Sequence, residues 1–381
     1  MKQPSRRHIH FQVGLQRGLS LIELMISITI GLLILVSLST LFINQSKSRV
    51  ELDKSNRMID NGRYALELLS NNLRFAGYYD NFVPTPINTP ATPYDISMGT
   101  TATLFDPCNT AAITDSTRNL DILRLPVQGY NAATATSTIA SLPCGLTYTA
   151  GSNLSLKAGS DIFTVRRAST VITASAVSGT TYLQVSMCQT DTAVPPNNYQ
   201  IIAAPNPITA AFNNTVNSMH KKLCTAAGTN PGDGLADLRA FMVLTYFISP
   251  SNNPTVVVPG SGCTVGDCIP TLKQIDQYGT VTPLVEGIEY MQVDYGIDDT
   301  GDGGTDRYVD CSACSLTDWS NVVAVRINLI ARNTEKTTGW SDSKTYSLGG
   351  SAGTVGPFND PYKRHAYTQL IRLVNPSGRR E

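Results

Sequence analysis

The chain has few charged residues, and they are unevenly distributed. Only 15% of its 381 residues are charged, and 29 basic residues balance 29 acidic ones. This balance excludes the strongly basic surface that is typical of proteins whose main partner is nucleic acid. No acidic residue precedes Glu23, and no proline lies between Pro4 and Pro84. The proline-free stretch allows one long uninterrupted helix.

Residues that commonly carry out catalysis are also scarce. Beyond residue 18 the chain contains two histidines, His220 and His365, which are isolated in sequence. It contains no nucleophile elbow and no glycine-rich phosphate-binding loop. We therefore predict that the protein is not an enzyme and that it binds no organic cofactor.

One apolar segment, Leu19–Ile43, is long enough to cross a membrane. At about 1.5 Å per residue it reaches roughly 37 Å, and the hydrocarbon core of a bilayer is about 30 Å thick. Its only charged residue is Glu23. The residues before it include four basic ones: Lys2, Arg6, Arg7 and Arg17. Basic residues mark the cytoplasmic side of a membrane segment, so everything after Ile43 is predicted to lie outside the cytoplasm.

Two simpler interpretations of this segment explain less. A secretory signal peptide has a shorter apolar core and a small-residue cleavage site after it, whereas Gly18 precedes the apolar run. A plain membrane anchor does not account for Glu23, because a carboxylate deep in a bilayer costs about 2.5–3.5 kcal/mol. Cleavage after Gly18 would expose an amine on Leu19. That amine could pair with Glu23 within one chain or between neighbouring chains.

The glycine, the apolar run and the carboxylate make the N-terminal segment resemble the type IV pilin family. The resemblance implies that a membrane prepilin peptidase cleaves after Gly18 and N-methylates Leu19, and that Glu23 acts in subunit assembly. The family usually has phenylalanine after the cleavage site, and Leu19 departs from that pattern. Residues 1–18 are then a cytoplasmic leader. The processed chain is expected to span the inner membrane once, at residues 19–43, before it enters a pilus on the cell surface.

The helix is predicted to continue beyond the membrane as an amphipathic stretch over residues 44–77. No proline interrupts it, apolar residues recur at roughly helical spacing, and Gly77 is a typical helix stop. The run from Gly62 to Tyr78 resembles the minor pilins of the PilW type. That resemblance implies a minor subunit rather than the repeating subunit of the fibre.

After Pro84 the sequence reads as strands and polar loops. The candidate strands are Leu120–Val127, Ile162–Arg166, Tyr182–Met187, Ala240–Ser249, Val281–Val285, Ile288–Tyr295, Val322–Arg332 and Ala366–Val374. No strand–helix–strand rhythm occurs, which favours an antiparallel sheet. We predict an α+β, type IV pilin-like fold in which the long N-terminal helix packs on a mainly antiparallel sheet. Residues 78–381 are expected to form one exported β-rich domain, or two lobes that divide near residue 230.

All eight cysteines follow the predicted membrane segment: Cys108, Cys144, Cys188, Cys224, Cys263, Cys268, Cys311 and Cys314. An even number of cysteines outside the cytoplasm favours disulfides. Sequence order suggests the pairs 108–144, 188–224, 263–268 and 311–314, while other pairings remain open. Zinc is the alternative for Cys311 and Cys314, but it needs two further ligands.

An acidic, glycine-rich segment, Asp298–Asp310, is the second distinctive motif. Calcium requires several oxygen ligands that converge around a sharp turn. Four residues have the ligand spacing of an EF-hand or dockerin-type loop: Asp298, Thr300, Asp302 and Asp306. Val309 replaces the bidentate glutamate of that pattern, and Asp310 is the nearest substitute. We predict bound calcium, and the alternative is a solvated turn between two strands.

The features together favour a structural function. The leading hypothesis is a minor pilin of a type IV pilus that primes assembly at or near the tip and supports pilus biogenesis, twitching motility and adhesion. Its expected partners are other minor pilins, the major pilin, prepilin peptidase, the inner-membrane assembly platform and a tip adhesin. The alternatives are a minor pseudopilin of a type II secretion system and a pilus-borne adhesin or DNA-uptake module. No basic, aromatic-rich patch supports a specific nucleic-acid partner.

Overall fold

The computed structural model describes most of the chain. The described residues are 18, 20–84, 88–89, 92–93, 104–114, 119–132, 134, 137–149, 152–187, 199–205, 207, 219–220, 235–252, 268–349 and 353–380. The chain divides into two compact units, residues 1–53 and residues 54–381.

The described part of the chain combines one long helix with many antiparallel strands. The helices are α1 (Leu21–Arg74), α2 (Thr110–Thr114), α3 (Asn119–Leu123), α4 (Leu316–Ser320) and α5 (Val374–Gly378). The strands are β1 (Asn88–Thr89), β2 (Thr92–Pro93), β3 (Val127–Tyr130), β4 (Ile162–Ala168), β5 (Thr181–Val185), β6 (Tyr199–Ala203), β7 (Leu238–Ser249), β8 (Thr271–Asp276), β9 (Val281–Glu286), β10 (Ile288–Ile297), β11 (Arg307–Val309), β12 (Val322–Arg332), β13 (Tyr346–Ser347), β14 (Thr354–Val355) and β15 (Arg364–Arg372). The predicted α+β class is confirmed.

In the first unit, helix α1 exposes a nearly continuous apolar surface. Its most apolar stretch has no buried residue, and the helix is long and apolar enough to cross a membrane. Hydroxyl groups along this stretch donate to the carbonyl oxygen one turn earlier: Ser27 to Glu23, Ser37 to Leu33 and Ser39 to Leu35. Hydroxyls paired in this way are tolerated in hydrocarbon, because no polar hydrogen is left without an acceptor.

In the second unit, the rest of α1 buries one face against a β-sheet. The buried residues recur every three or four positions: Met58, Gly62, Ala65, Leu66, Leu69, Ser70 and Leu73. Gly62 permits the close approach, because a Cβ there would collide with the ring of Tyr367 in β15. The Tyr367 hydroxyl also donates to the carbonyl oxygen of Ile59 at 3.3 Å. The packed part of the helix therefore begins after residue 53.

The helix ends where the sequence predicted. Helix α1 stops at Arg74, and Gly77 adopts a φ of +72°. Glycine adopts this left-handed conformation without the steric cost that a side chain would add.

The sheet beneath α1 has four strands in the order β11-β10-β12-β15. Alternate residues of β12, including Val325, Ile327 and Leu329, join the core that contains α1. On the opposite face Ile330 packs against Leu348 and Val355, which belong to the β13–β14 region. The alternation predicted for Val322–Arg332 is therefore present, but both faces of this strand are largely buried.

A second, seven-stranded sheet is built around β7. Its path runs β3-β4-β7-β5-β6, β8 also pairs with β7, and β9 pairs with β8. Strand β7 is 12 residues long and has apolar side chains on both faces. Tyr246 joins the core that contains α1, and Phe247 joins the cluster on the other face.

Asp161 joins the two sheets. Its backbone N–H donates to the carbonyl oxygen of Met291 in β10 at 2.9 Å. Its carboxylate accepts the backbone N–H of Ala132 and that of Val293, each at 2.8 Å. Burial raises the pKa of this carboxyl to about 8, although both hydrogen bonds oppose the rise.

One sequence prediction about the fold is wrong. The strand expected at Leu120–Val127 is mostly helix α3, because Ile122, Leu123 and Leu125 are buried from a helical turn, and β3 begins only at Val127. The predicted division into lobes near residue 230 lies outside the described residues and stays a prediction, although β4 and β7, on either side of it, pair in one sheet. The other predicted strands are present with shifts of a few residues at their ends.

Candidate functional site

The predicted cleavage site lies at an accessible chain segment. Gly18 is exposed, and a Cβ placed on it would meet no atom within 4 Å. Helix α1 begins three residues later, at Leu21. Cleavage after Gly18 stays a prediction. Leu19, the predicted new terminus, lies outside the described residues.

Glu23 occupies the first turn of α1. Its Oε2 accepts the backbone N–H of Ser20 at 3.0 Å, so the carboxylate binds one of the N–H groups that a helix start leaves unpaired. Its side chain is exposed, and it forms no ion pair with any residue that the structure describes. The next charged residue along the chain is Lys47. The role of Glu23 in assembly stays a prediction.

Two of the suggested disulfides are present in the structure. Cys108 is bonded to Cys144, and Cys311 is bonded to Cys314. The second bond removes the thiolates that zinc would need at this pair. Cys268 is also disulfide-bonded. The predicted pairs that include Cys188, Cys224 and Cys263 fall on residues outside the described part of the chain.

Asp298 is the centre of the acidic loop. Its side chain is fully buried, and its two oxygens accept the backbone N–H of Gly301 at 2.6 Å and that of Gly303 at 3.0 Å. Arg380 donates to the same carboxylate at 3.0 Å. Burial alone would raise the pKa of Asp298, but these hydrogen bonds and the arginine charge hold it below its usual range.

Asp306 closes the other side of the loop. One of its oxygens accepts the backbone N–H of Asp299 at 2.7 Å and that of Thr300 at 2.9 Å. The Thr300 hydroxyl lies 3.1 Å from Asp306 and 3.5 Å from Asp298. Three of the predicted calcium ligands, Asp298, Thr300 and Asp306, are therefore neighbours.

The remaining two predicted ligands point elsewhere. Asp302 accepts the N–H of Gly304 at 2.8 Å. Asp310 accepts from Ser312 at 2.9 Å and from Asn131 at 3.0 Å. Within the described ranges, no three carboxylates of this loop converge within 4.8 Å. The loop is held by its own N–H groups and by Arg380, and calcium binding stays a prediction.

The sequence reading missed the cations that support this loop. Arg380 is 82 residues from Asp298 in sequence. Arg307 forms ion pairs with Asp299 at 2.7 Å and with Asp318 at 2.5 Å. Asp318 in turn caps helix α4 through Ser315. No spacing rule connects these residues, so only the tertiary structure reveals them.

A buried charge cluster at Arg364 was also missed. The Arg364 guanidinium pairs with three carboxylates: Glu289 at 2.6 Å, Asp342 at 2.9 Å and Asp360 at 2.6 Å. Its side chain is only 1% exposed. Phe358 lies against the guanidinium, 3.8 Å from it to the ring centroid. The cluster ties the segment between β12 and β15 to the sheet, so its role is structural.

The fold and the helix start together define a class of protein. An accessible glycine precedes an apolar helix with one early carboxylate, and the same helix continues into the core of an antiparallel β domain. This is the architecture of a type IV pilin-like subunit.

Two family models match the chain. The prokaryotic N-terminal methylation motif matches residues 14–39, and the model of type IV pilus-assembly protein W matches residues 246–375. Comparison with curated proteins and with solved structures gives no match. Both matches support the resemblance to type IV pilins of the PilW type. The run Gly62–Tyr78 lies outside both matched regions.

Proposed function

We propose that this chain is a minor pilin that takes part in priming a type IV pilus at or near its tip. The observation that carries the proposal is the pairing of a methylation-type N terminus with a PilW-type β domain on one chain. Through this role the protein supports pilus biogenesis, twitching motility and adhesion.

The proposed role of the N terminus follows from its charges. Cleavage after Gly18 leaves an amine at Leu19, about one helical turn from Glu23. An ion pair between that amine and Glu23 of a neighbouring subunit offsets the cost of burying each charge. Because the pair forms at one axial position only, it also fixes the register between two apolar helices.

The size of the second unit supports a minor rather than a repeating subunit. It extends from residue 54 to residue 381, and its described strands form a four-stranded sheet, a seven-stranded sheet and two two-stranded sheets. A domain of this size packs poorly at every repeat of a thin fibre, whereas a tip leaves room for it. The partners in this role are other minor pilins, the major pilin, prepilin peptidase and the inner-membrane assembly platform.

The proposal is tested by deleting the gene and restoring it with variants. The unaltered chain should restore surface pili and twitching motility, and a Glu23→Ala chain should enter the membrane but fail to enter pili. Thr40→Ala is the matched control, because it removes a polar group from the same helix and should behave like the unaltered chain. Immunoblots of membrane and sheared-pilus fractions measure both steps.

Other outcomes separate the alternative functions. Normal piliation after deletion contradicts the proposal. Loss of enzyme secretion with normal pili would instead assign the chain to a type II secretion system. Normal pili with lost adhesion or lost DNA uptake would favour a binding module carried on the pilus.

A further inference from the structure

The chain enters the second unit at one end of the four-stranded sheet. Strand β15 starts beside the first packed turns of α1, because the Tyr367 hydroxyl donates to the carbonyl oxygen of Ile59. It ends beside the end of the helix, because Asn375 donates to the carbonyl oxygen of Ala76. The end of β12 pairs with the start of β15. Both therefore lie at the end of the sheet where the chain enters the second unit.

A loop at this end contacts the first packed residues of α1. It comprises residues 333–345, directly after β12, and is called the entry loop below. Lys54 donates to the carbonyl oxygen of Lys336 at 2.8 Å. Lys54 and Arg57 form ion pairs with Glu335 at 3.8 and 3.4 Å. These contacts hold the entry loop beside the point where the chain enters the unit.

The entry loop presents an aromatic ring among lysines. Trp340 is 36% exposed. The Nζ of Lys363, the residue before β15, lies 5.7 Å from the centroid of this ring. Lys336 and Lys344 are exposed on the same loop. An indole with ammonium groups around it is suited to a surface that is apolar beneath and negatively charged on top.

The carboxylates near the entry loop do not cancel its positive charge. Glu335 is shared by two cations of α1. Asp342, the other acid of the loop, is fully buried and paired with Arg364. Glu286, at the end of the neighbouring strand β9, is exposed and offsets one lysine. The surface around Trp340 therefore keeps an excess of basic groups.

The chain itself limits how far this surface lies from the membrane segment. Lys54 follows Ile43 by 11 residues. A helix of that length spans about 16 Å, and a fully extended chain spans about 40 Å at most. The charges of residues 44–53 balance one another: Lys47, Arg49, Glu51 and Asp53. A subunit held in a bilayer by residues 19–43 therefore keeps the entry loop within reach of the bilayer surface.

We propose that the entry loop docks on anionic lipid head groups of the membrane that holds the apolar segment. Tryptophan partitions to the head-group region, and lysines beside it are attracted to anionic lipid. Docking holds the second unit on the bilayer surface until the subunit enters a pilus. The inference rests on the proposed function, because it requires the apolar segment to span a membrane.

The first test places the full chain in vesicles of phosphatidylcholine, with or without the anionic lipid phosphatidylglycerol. Lipids brominated near the head group quench tryptophan that docks on the surface. The other tryptophan, Trp319, is 1% exposed in the core, so it supplies a constant background. Trp340 should be quenched in the anionic vesicles, and salt at about 1 M should reverse this, because the Debye length falls to about 3 Å.

Two charge variants sharpen the test. Lys344→Gln should lower the ratio of docked to undocked chains about fivefold, which is the effect of one lysine near an anionic surface. Arg74→Gln is the matched control, because it removes one exposed charge at the opposite end of the packed helix. It should leave the ratio unchanged. Trp340→Phe removes the reporter and measures the background from Trp319.

The outcomes separate this inference from the proposed function. If Trp340 stays unquenched in anionic vesicles while the chain resists alkaline extraction, docking is wrong and the membrane span stands. Equal quenching without phosphatidylglycerol would remove the role of the lysines. Shielding of Trp340 that rises with the number of chains per vesicle would assign the surface to a second copy. A chain that alkali extracts would contradict the membrane span and, with it, the proposed function.

Discussion

The two units of the chain handle charge in opposite ways. In the second unit, the buried guanidinium of Arg364 has three carboxylate partners, and the buried carboxylate of Asp298 has Arg380. In the first unit, Glu23 lies in an apolar helix and forms no ion pair with a described residue. Charges that the chain neutralises itself serve its own fold. The proposed role in assembly requires a carboxylate at Glu23 that no described residue neutralises.

The largest expected effect concerns the buried charges that the second unit neutralises with its own residues. Arg364→Met leaves Asp342 buried without its cation and leaves Glu289 with Arg332 alone, at 3.5 Å, so the free energy of unfolding should fall by about 3–5 kcal/mol. Urea unfolding of the full chain in detergent measures this. Arg307→Met is the control, because its ion pairs are exposed and should cost less than about 1 kcal/mol. Equal losses of unfolding free energy in the two variants would show that burial does not determine how much these ion pairs stabilise the fold.

The second prediction concerns acid. Burial alone would raise the pKa of Glu289 and of Asp360, but hydrogen bonds from Arg364 and its charge hold both below their ordinary values. The unfolded chain takes up these protons first, so stability should be lost as the pH falls below about 4. Arg364→Met should flatten this part of the curve. The unfolding free energies of the unaltered protein and the Arg364→Met variant should be measured at several pH values. The same dependence on pH in both would refute the role of Arg364.

The third prediction concerns the joint between the sheets. Asp161→Asn places an amide NH₂ against a backbone N–H and should cost about 1–3 kcal/mol. The raised pKa of about 8 means that the folded protein keeps a proton that the unfolded chain has released. The unaltered protein should therefore lose stability as the pH rises from about 4 towards 8. The variant should lack this slope, and an identical slope in urea titrations would contradict the assignment.

The fourth prediction concerns the acidic loop, whose charges are only partly matched. The segment from Asp298 to Asp310 contains more aspartates than its two arginine partners, Arg307 and Arg380, can neutralise. Calcium at ten times its dissociation constant should add about 1.4 kcal/mol, seen as a higher melting temperature. Arg380→Ala should strengthen the effect of calcium, because it frees an oxygen of Asp298. The same melting curve with calcium and with chelator would show that calcium does not stabilise the loop.

The smallest expected effect on stability belongs to Glu23. Glu23→Gln should change the unfolding free energy of the second unit by less than about 0.5 kcal/mol, because the side chain is exposed. Its incorporation into pili should nevertheless be lost. A large change in stability would place Glu23 among the structural charges and remove the contrast between the two units.

Local sequence patterns predicted the parts of this fold that depend on periodicity. The apolar run, the helix stop near Gly77 and the strand Val322–Arg332 each follow from the spacing of neighbouring residues. The short helix α3 was missed because a few apolar residues do not distinguish a turn of helix from a strand. The partners of Asp298 and Arg364 were missed because they come from distant parts of the chain. The carboxylate at position 23 was found because its surroundings in sequence are uniformly apolar.

Residues late in the chain secure structure formed much earlier. Arg379 donates to the carbonyl oxygen of Gly77 at 2.5 Å, and Asn375 donates to that of Ala76 at 3.1 Å. Arg380 reaches both Asp298 and the carbonyl of Ser320. The ribosome makes the N-terminal end first, so the end of α1 and the acidic loop lack these hydrogen bonds until residues 375–380 have been made. These contacts cannot form until the last residues are made, and a nascent chain that stalls before residue 375 should be cleaved by proteases more readily than the complete chain.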